Sequence, residues 1–230
     1  MTEKNVPQID VVESEIIGLL GEKAWNKLQG ATKIDIVTSE ICLRSFKDYK
    51  KGFDFSSVVT PIMKGLEQEL RTSFYDGYLA YLESGKYTPS QYAHKVWSGV
   101  YPGDIDIAKK KSKILDYDGK KLSYKVDRSV YTVGDFRFAI GASNLRAICV
   151  DCTFEEYCQS VLFKGNTYTR KEYLDWIRQL IKDVESLRLL RNDSAHAGKI
   201  LNQSDAETAL NELVKVRKIL GLIVCPPWVK

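Results

Sequence analysis

The stretch TRKEYLDWIRQLIKDVESLRLLRNDSAH, residues 169–196, decides how this chain is expected to fold. Its apolar side chains recur every three or four residues, a spacing that places them on one face of an α-helix. They are Tyr173, Trp176, Ile177, Leu180, Ile181, Val184 and Leu187. Four residues further on, the same face reaches Arg191, and burying an arginine is costly unless it is paired or faces a ligand or partner. The pattern predicts an amphipathic helix over 170–191 that ends in a charged group needing a partner.

Helical periodicity and helix-start signals recur through most of the chain. Four sequences have the spacing of a capping box, in which a side chain accepts a hydrogen bond from a free backbone N–H of the first turn. They begin at Asp10, Thr153, Thr169 and Ser204. With the apolar periodicity they predict helices over 10–29, 32–50, 56–84, 132–148, 154–163, 170–191 and 205–224. The last two are expected to pack antiparallel, which places Arg191 and the loop to Ser204 at one end of the pair.

One segment, about 98–131, departs from the helical pattern. Within it Asp118-Gly119 separates two short runs rich in apolar residues, which is typical of a β-hairpin. The sequence therefore predicts an all-α protein with a small inserted hairpin. We expect an N-terminal helical extension over 1–52 and a main helical domain over 53–230.

The composition of the 230 residues, 44% hydrophobic and 28% charged, is that of a globular protein. It excludes disordered, collagen-like and low-complexity chains. The first thirty residues lack the hydrophobic stretch of a signal peptide, and the apolar runs are too short to span a membrane. We therefore expect a cytoplasmic protein that does not enter the membrane.

The basic charge is concentrated in the predicted hairpin segment. Its lysines are Lys109, Lys110, Lys111, Lys113, Lys120, Lys121 and Lys125. The first six are candidates for binding RNA phosphates. The alternative is a solvated insertion that its charge keeps soluble.

The cysteines number five, an odd count that favours reduced thiols in a chain without a secretory signal. They are Cys42, Cys149, Cys152, Cys158 and Cys225. Cys149 and Cys152 have the spacing of a zinc half-site, but the sequence offers no second half. Buried thiols are the better interpretation, and we expect neither a metal nor a cofactor.

The segment after the amphipathic helix begins Arg191-Asn192-Asp193-Ser194-Ala195-His196. The spacing Arg-x(4–6)-His is weak evidence by itself, because chance produces it often. Its context is more specific, since the arginine lies on the apolar face of a long helix, an asparagine follows it, and another helix is predicted soon after the histidine. The alternative is a cation and a cap that satisfy the last carbonyls of a helix. Asn192 is also a common turn residue.

This segment resembles the HEPN superfamily, whose members carry Arg-x(4–6)-His near the start of the last main helical turn of a small bundle. Many have Asn, His or Lys directly after the arginine. Two further segments, LEQEL at 66–70 and TVGDF at 132–136, are similar to HEPN proteins that are often encoded beside bacterial defence genes. The similarity covers about 58–81 and 131–224.

The resemblance implies an antiparallel helical bundle that forms a homodimer, with two Arg-x(4)-His segments facing one cleft. It also implies a metal-independent endoribonuclease acting on single-stranded RNA or tRNA, as the effector or toxin of a bacterial anti-phage defence or toxin–antitoxin system. Arg191 would then stabilise the phosphorane, His196 would transfer the proton, and Asn192 would orient His196 or the phosphate.

Such an enzyme must be restrained in a healthy cell, which implies a regulatory protein partner such as an antitoxin or an ATPase. The alternative function is a non-catalytic HEPN module that dimerises, or binds nucleic acid or nucleotide, within a larger defence complex. Gly198 stands where HEPN toxins silenced by a nucleotidyltransferase carry a tyrosine. We therefore do not expect regulation by that route.

Overall fold

The computed structural model describes residues 8–47, 53–77, 80–81, 84, 115–117, 122–124, 153–195 and 200–229. Most of these residues are helical, as the sequence predicts. Among them no helix combines the length and the apolar character needed to cross a membrane. The antiparallel HEPN-like bundle is a more specific arrangement than this and stays a prediction.

The chain divides into two compact units. The first consists of Met1–Glu69 and Asp183–Pro227, and the second of Leu70–Lys182 and Trp228–Lys230. The boundary predicted near residue 52 stays a prediction.

The described residues between 8 and 70 form four α-helices. They are α1 (Ile9–Leu20), α2 (Glu22–Lys27), α3 (Gly30–Phe46) and α4 (Ser56–Leu70). The helix predicted over 10–29 is wrong as a single element, because Gly21 has φ 87° and separates α1 from α2. Glycine adopts this conformation at no steric cost, so the break falls where the sequence permits one.

The helices towards the C-terminus are shorter than predicted. They are α5 (Thr153–Tyr157), α6 (Arg170–Ser186), α7 (Arg188–Ala195), α8 (Gln203–Leu210) and α9 (Ile219–Val224). Three π-helices, Arg71–Asp76, Cys158–Leu162 and Asn211–Lys215, continue α4, α5 and α8. The helix predicted over 205–224 is interrupted before α9, where Lys218 takes the left-handed conformation with φ 55°.

The capping predictions have different outcomes. Thr169 is confirmed, because its Oγ1 accepts from the Glu172 N–H while a Glu172 carboxylate oxygen accepts from the Thr169 N–H. The cap predicted at Ser204 is wrong, because Asn202 caps α8 in a reciprocal pair with Asp205. The cap predicted at Asp10 is also wrong, because α1 begins at Ile9 and has no side-chain cap. The cap predicted at Thr153 stays a prediction, because the side chain of Thr153 is outside the described part of the structure.

Two short strands occur in the predicted hairpin segment. β1 (Leu115–Tyr117) and β2 (Leu122–Tyr124) pair antiparallel, with Leu115 opposite Tyr124. The rest of 98–131 and the helix predicted over 132–148 lie outside the described residues. The inserted hairpin as a whole therefore stays a prediction.

The core of the first unit is formed by helices from the N-terminal part of the chain together with helices from its C-terminal part. α1 contacts α2, α3 and the π-helix Asn211–Lys215, while α8 contacts α3 and α9 contacts α2. The fully buried side chains include Ile16, Ile36, Ile62, Leu66, Leu213 and Ile223. This apolar core fixes the position of α4, which is the helix that contacts the candidate site.

A carboxyl group is buried at the end of α4. Glu69 has no exposed surface, and its Oε1 accepts a hydrogen bond from the backbone N–H of Gln29 at 2.7 Å. Burial raises the pKa of Glu69, against the opposing effects of hydrogen bonds from Thr32 and Gln29 and of the charge on Lys33. Because its pKa is higher in the folded chain than in the unfolded chain, ionising Glu69 lowers the stability of the fold.

We expect Glu69→Gln to stabilise the protein at pH 7. The stability cost is absent at low pH, where both states are protonated, grows as pH rises past the unfolded-state pKa, and is complete above the folded-state pKa. Glutamine keeps an oxygen acceptor for the Gln29 N–H but carries no charge. Urea unfolding at pH 4 and pH 7 measures the effect, which should be larger at pH 7. The exposed Asp175→Asn is the control, and a lower midpoint for Glu69→Gln at pH 7 would contradict the expectation.

Candidate functional site

The candidate site begins within a helix and not in a loop. The sequence predicted that the helix ends at Arg191, but α7 continues to Ala195. The backbone N–H of Arg191 donates to the carbonyl of Leu187 at 2.9 Å, as in an uninterrupted helix. The interruption comes earlier, between α6 and α7, where the Leu187 N–H bonds the Val184 carbonyl three residues back. Polar residues after Arg191 therefore occupy the last turn of a helix, a position that they tolerate.

Arg191 is paired with a carboxylate from α4. Its Nε donates to Oε1 of Glu67 at 2.7 Å, and the two side chains are 26% and 22% exposed. A guanidinium bonded in this way has a fixed plane, because its N–H groups form a rigid fork. Partial burial reduces solvent screening, so this pair constrains the arginine more than a fully exposed pair would.

The chain beyond the site is fixed to the start of α4. The Leu201 N–H donates to Oδ1 of Asp54 at 3.1 Å, and the Phe55 N–H donates to the Leu201 carbonyl at 2.9 Å. The same Asp54 oxygen accepts from the Ser56 hydroxyl and N–H. These bonds, the Ser56 hydroxyl foremost, hold the pKa of Asp54 below its usual value. Arg191 is thus held by α4, and Leu201 is held by the two residues that directly precede α4.

Exposed apolar side chains lie close to Arg191 in the chain. Leu189 is 65% exposed and Ile200 is 68% exposed. Leu187, by contrast, is buried and anchors α7 to its unit. Asn192 and Asp193 are half-buried. Arg191 is thus a cation held by a partner in its own chain, while the exposed apolar side chains are neighbours of Arg191 in sequence only.

The end of α6 is also fixed within the first unit. Asp183 is 4% exposed and accepts a hydrogen bond from Nη1 of Arg217 at 2.9 Å. A buried carboxylate needs such a partner, because an unpaired one would be costly. This contact ties the helix that precedes α7 to the chain that follows α8.

Several predicted site residues lie outside the described part of the chain. They are His196 and the lysines Lys109, Lys110, Lys111, Lys113, Lys120 and Lys121. Cys149, Cys152 and the segment 132–136 also lie outside it. The structure thus gives the positions of Arg191 and Asn192, and the assignment of Arg191, Asn192 and His196 to one site stays a prediction.

Three of the five cysteines lie in the described part of the chain. Cys158 is buried, and Cys42 and Cys225 are half-buried. Within the described ranges, no group of three or more His, Cys, Asp or Glu side chains is placed to hold a metal ion.

Glu67 is the site residue that sequence reasoning missed. It was noted only as part of the LEQEL segment, without a role. A signal was present, because Glu67 is a charged residue next to Leu66, which is fully buried, on an apolar helix. Its partner, however, is 124 residues away, and helical periodicity carries no information about such distant pairs.

Comparisons with known proteins add no relative. No family model, no curated protein and no solved structure matches the chain.

Proposed function

We propose that this protein is a metal-independent endoribonuclease of the HEPN type that acts as a homodimer. The observation that carries the proposal is Arg191, half-buried in α7 and held by Glu67, in the segment that leads to His196. A fixed guanidinium at this position is the group that an Arg-x(4)-His ribonuclease needs for the phosphate. The LEQEL segment of the resemblance supplies the residue that holds it.

The chemistry assigned to these residues is attack of a ribose 2′-OH on the adjacent phosphorus. The reaction needs a base for that hydroxyl, an acid for the leaving 5′-oxygen, and positive charge beside the phosphorane. A histidine has an ordinary pKa near 6.5, so His196 is suited to moving the proton at neutral pH. Arg191 stays charged and offers several donors to phosphoryl oxygens. Asn192 is assigned to orienting His196 or the phosphate.

A homodimer completes the site in this proposal. One protomer supplies one arginine and one histidine, whereas acid and base catalysis by histidine requires two. A two-fold axis near the segment would bring a second set of both residues.

The proposed substrate is single-stranded RNA or a tRNA loop, and the proposed cellular role is that of a defence effector or toxin in the bacterial cytoplasm. The cluster at Lys109, Lys110, Lys111, Lys113, Lys120 and Lys121 is assigned to RNA phosphates. A regulatory protein, an antitoxin or an ATPase, is the proposed restraint. These assignments follow from the resemblance and from the charge of the sequence.

The test is incubation of the purified protein with end-labelled tRNA and unstructured RNA in EDTA. Cleavage by 2′-OH attack leaves fragments that end in a 2′,3′-cyclic phosphate, and chelation excludes a metal-dependent contaminant. Fragments with these ends are the expected result. If His196→Ala protein produces the same fragments, the assignment of the chemistry to this segment is wrong.

A second candidate function is a non-catalytic module that dimerises within a larger complex. The observation that favours it is the same ion pair, because Arg191 has a partner within its own chain, as a structural arginine does. In that case Arg191 and His196 variants would change assembly or stability, and no RNA cleavage would depend on them.

We expect Glu67→Ala to lower the rate of RNA cleavage about 100-fold, because a displaced guanidinium no longer faces the phosphate at the correct distance. Glu67→Gln keeps an oxygen acceptor for the Arg191 Nε–H and should retain most of the activity. The measurement is the single-turnover cleavage rate with labelled RNA.

The matched control is Glu185→Ala. Glu185 pairs with Arg188 at 2.8 Å at an exposed position one turn before Arg191. Loss of that pair should leave cleavage unchanged. Equal rates for wild type and Glu67→Ala would show that Glu67 does not position the arginine.

A further inference from the structure

A recess opens between α1, α2 and α3, in the first unit and outside the candidate site. Its volume is about 270 Å³. The Trp25 ring and Val37 are buried and belong to its lining. This is smaller than ordinary small-molecule pockets, which measure roughly 300–1,000 Å³ and enclose most of the ligand. The size suits a protruding protein side chain.

Large apolar side chains protrude around the recess. Ile9 on α1 is 62% exposed and Ile34 on α3 is 68% exposed, and both contribute to its lining. Val11 on α1 is 49% exposed. Isolated exposed apolar residues are normal, but here two isoleucines and a recess share one face, so they form apolar surface suited to contact with another protein.

The recess also carries one charge of each sign. Lys33 on α3 holds its ammonium group 5.6 Å from the centre of the Trp25 ring, a cation–π contact that keeps it at this surface. Glu13 on α1 belongs to the lining as well. The surface formed by Ile9, Glu13, Trp25, Lys33, Ile34 and Val37 is called the α1–α3 face below.

We propose that the α1–α3 face binds the same face of a second copy of this chain. A two-fold contact requires a surface that is complementary to itself. This face meets the requirement, because it has both a protruding isoleucine and a recess to receive one, and both a lysine and a glutamate. In the pair, Ile34 of each protomer enters the partner's recess, and Glu13 of each lies opposite Lys33 of its partner.

The inference goes beyond the proposed function and does not depend on it. An isolated surface ion pair contributes little, so burial of the isoleucines supplies the affinity and the charges set the orientation. If the Arg191 segment also dimerises, two different two-fold contacts in one protomer would build a larger assembly. Loss of the α1–α3 contact would then leave the dimer that the Arg191 segment forms.

The experiment is sedimentation velocity on the full chain over a wide range of protein concentrations. In the Glu13→Lys variant, positions 13 and 33 of the α1–α3 face are both lysine. In the Lys33→Glu variant, both are glutamate. Each variant should repel itself and show half the mass of the wild-type assembly. In an equimolar mixture each lysine meets a glutamate, so the wild-type mass should return.

Ile34→Asp tests the apolar part of the contact and should also halve the mass. Its matched control is Val216→Asp, since Val216 is 71% exposed and is not part of the α1–α3 face. That control should leave the mass unchanged. Circular dichroism checks that each variant is folded.

Three results would overturn the inference. One is a wild-type protein that stays monomeric at every concentration. Another is an assembly whose mass Ile34→Asp does not reduce. The third is a mixture of the two charge variants that fails to regain the wild-type mass, because this rescue is specific to contact between two copies of one face.

Discussion

Arg191→Ala and His196→Ala are each expected to reduce RNA cleavage about 10²- to 10⁴-fold, the range measured when one acid–base group or one charge-stabilising donor is lost. The expectation for Arg191 follows from its contact with Glu67, which fixes the guanidinium at the start of the segment that holds His196. Loss of a fully exposed pair costs about 1 kcal/mol or less. The Arg191–Glu67 pair is only about a quarter exposed, so Arg191→Ala should cost more stability than that.

The control for this prediction is Arg188→Ala, one turn earlier in α7. Arg188 pairs with Glu185 and is 44% exposed, so its loss removes the same charge from the same helix without touching Glu67. Cleavage by this variant should match the wild type. Arg191→Lys is informative as well, because lysine keeps the charge but lacks the planar fork, and its activity should fall between those of wild type and alanine.

The non-catalytic module would be favoured if the variants changed stability or assembly and left RNA cleavage unchanged. Arg191→Ala would lower the unfolding midpoint or the mass of the assembly, and His196→Ala would change nothing in cleavage. Measuring cleavage rate, midpoint and mass for the same variants therefore separates the two functions.

Much of the helical content was predictable, because burial of one apolar face imposes a regular spacing on the sequence. Tyr173, Ile177, Leu180 and Val184 follow that spacing, and all four are buried in α6. The positions where helices break were less predictable. Gly21 offered a local signal, but Lys218 takes a left-handed conformation that no lysine prefers, so packing around it decides the break.

The need of Arg191 for a partner was predictable, but the identity of that partner was not. The position of Arg191 on an apolar face correctly implied that it needs a partner, and the structure identifies the partner as Glu67. The choice among residues of α4 depends on how the helices pack, and periodicity within one helix does not report it. The cap of α8 shows the same limit, because Asn202 and Ser204 are both suitable caps and the structure uses Asn202.

Trp228 forms part of the aromatic core of the second unit, which the sequence pattern did not predict because the residue follows the last helix. Its ring centre lies 4.8 Å from Tyr168, 5.4 Å from Trp176 and 6.1 Å from Phe163. We expect Trp228→Ala to lower the free energy of unfolding by about 3–5 kcal/mol, as for other buried tryptophans replaced by alanine. Urea unfolding followed by circular dichroism measures this loss.

Trp228→Phe separates the contribution of the ring from that of the indole N–H. Among the described residues, the buried Nε1 of Trp228 has no hydrogen-bond acceptor. Phenylalanine loses part of the ring contact but also removes this unsatisfied donor, and the two effects partly cancel. We therefore expect a loss of about 1.5 kcal/mol or less for a swap that keeps most of the apolar volume. If Trp228→Ala is as stable as Trp228→Phe, the tryptophan is not part of the core, and the aromatic cluster of Phe163, Tyr168 and Trp176 would stabilise the unit without it.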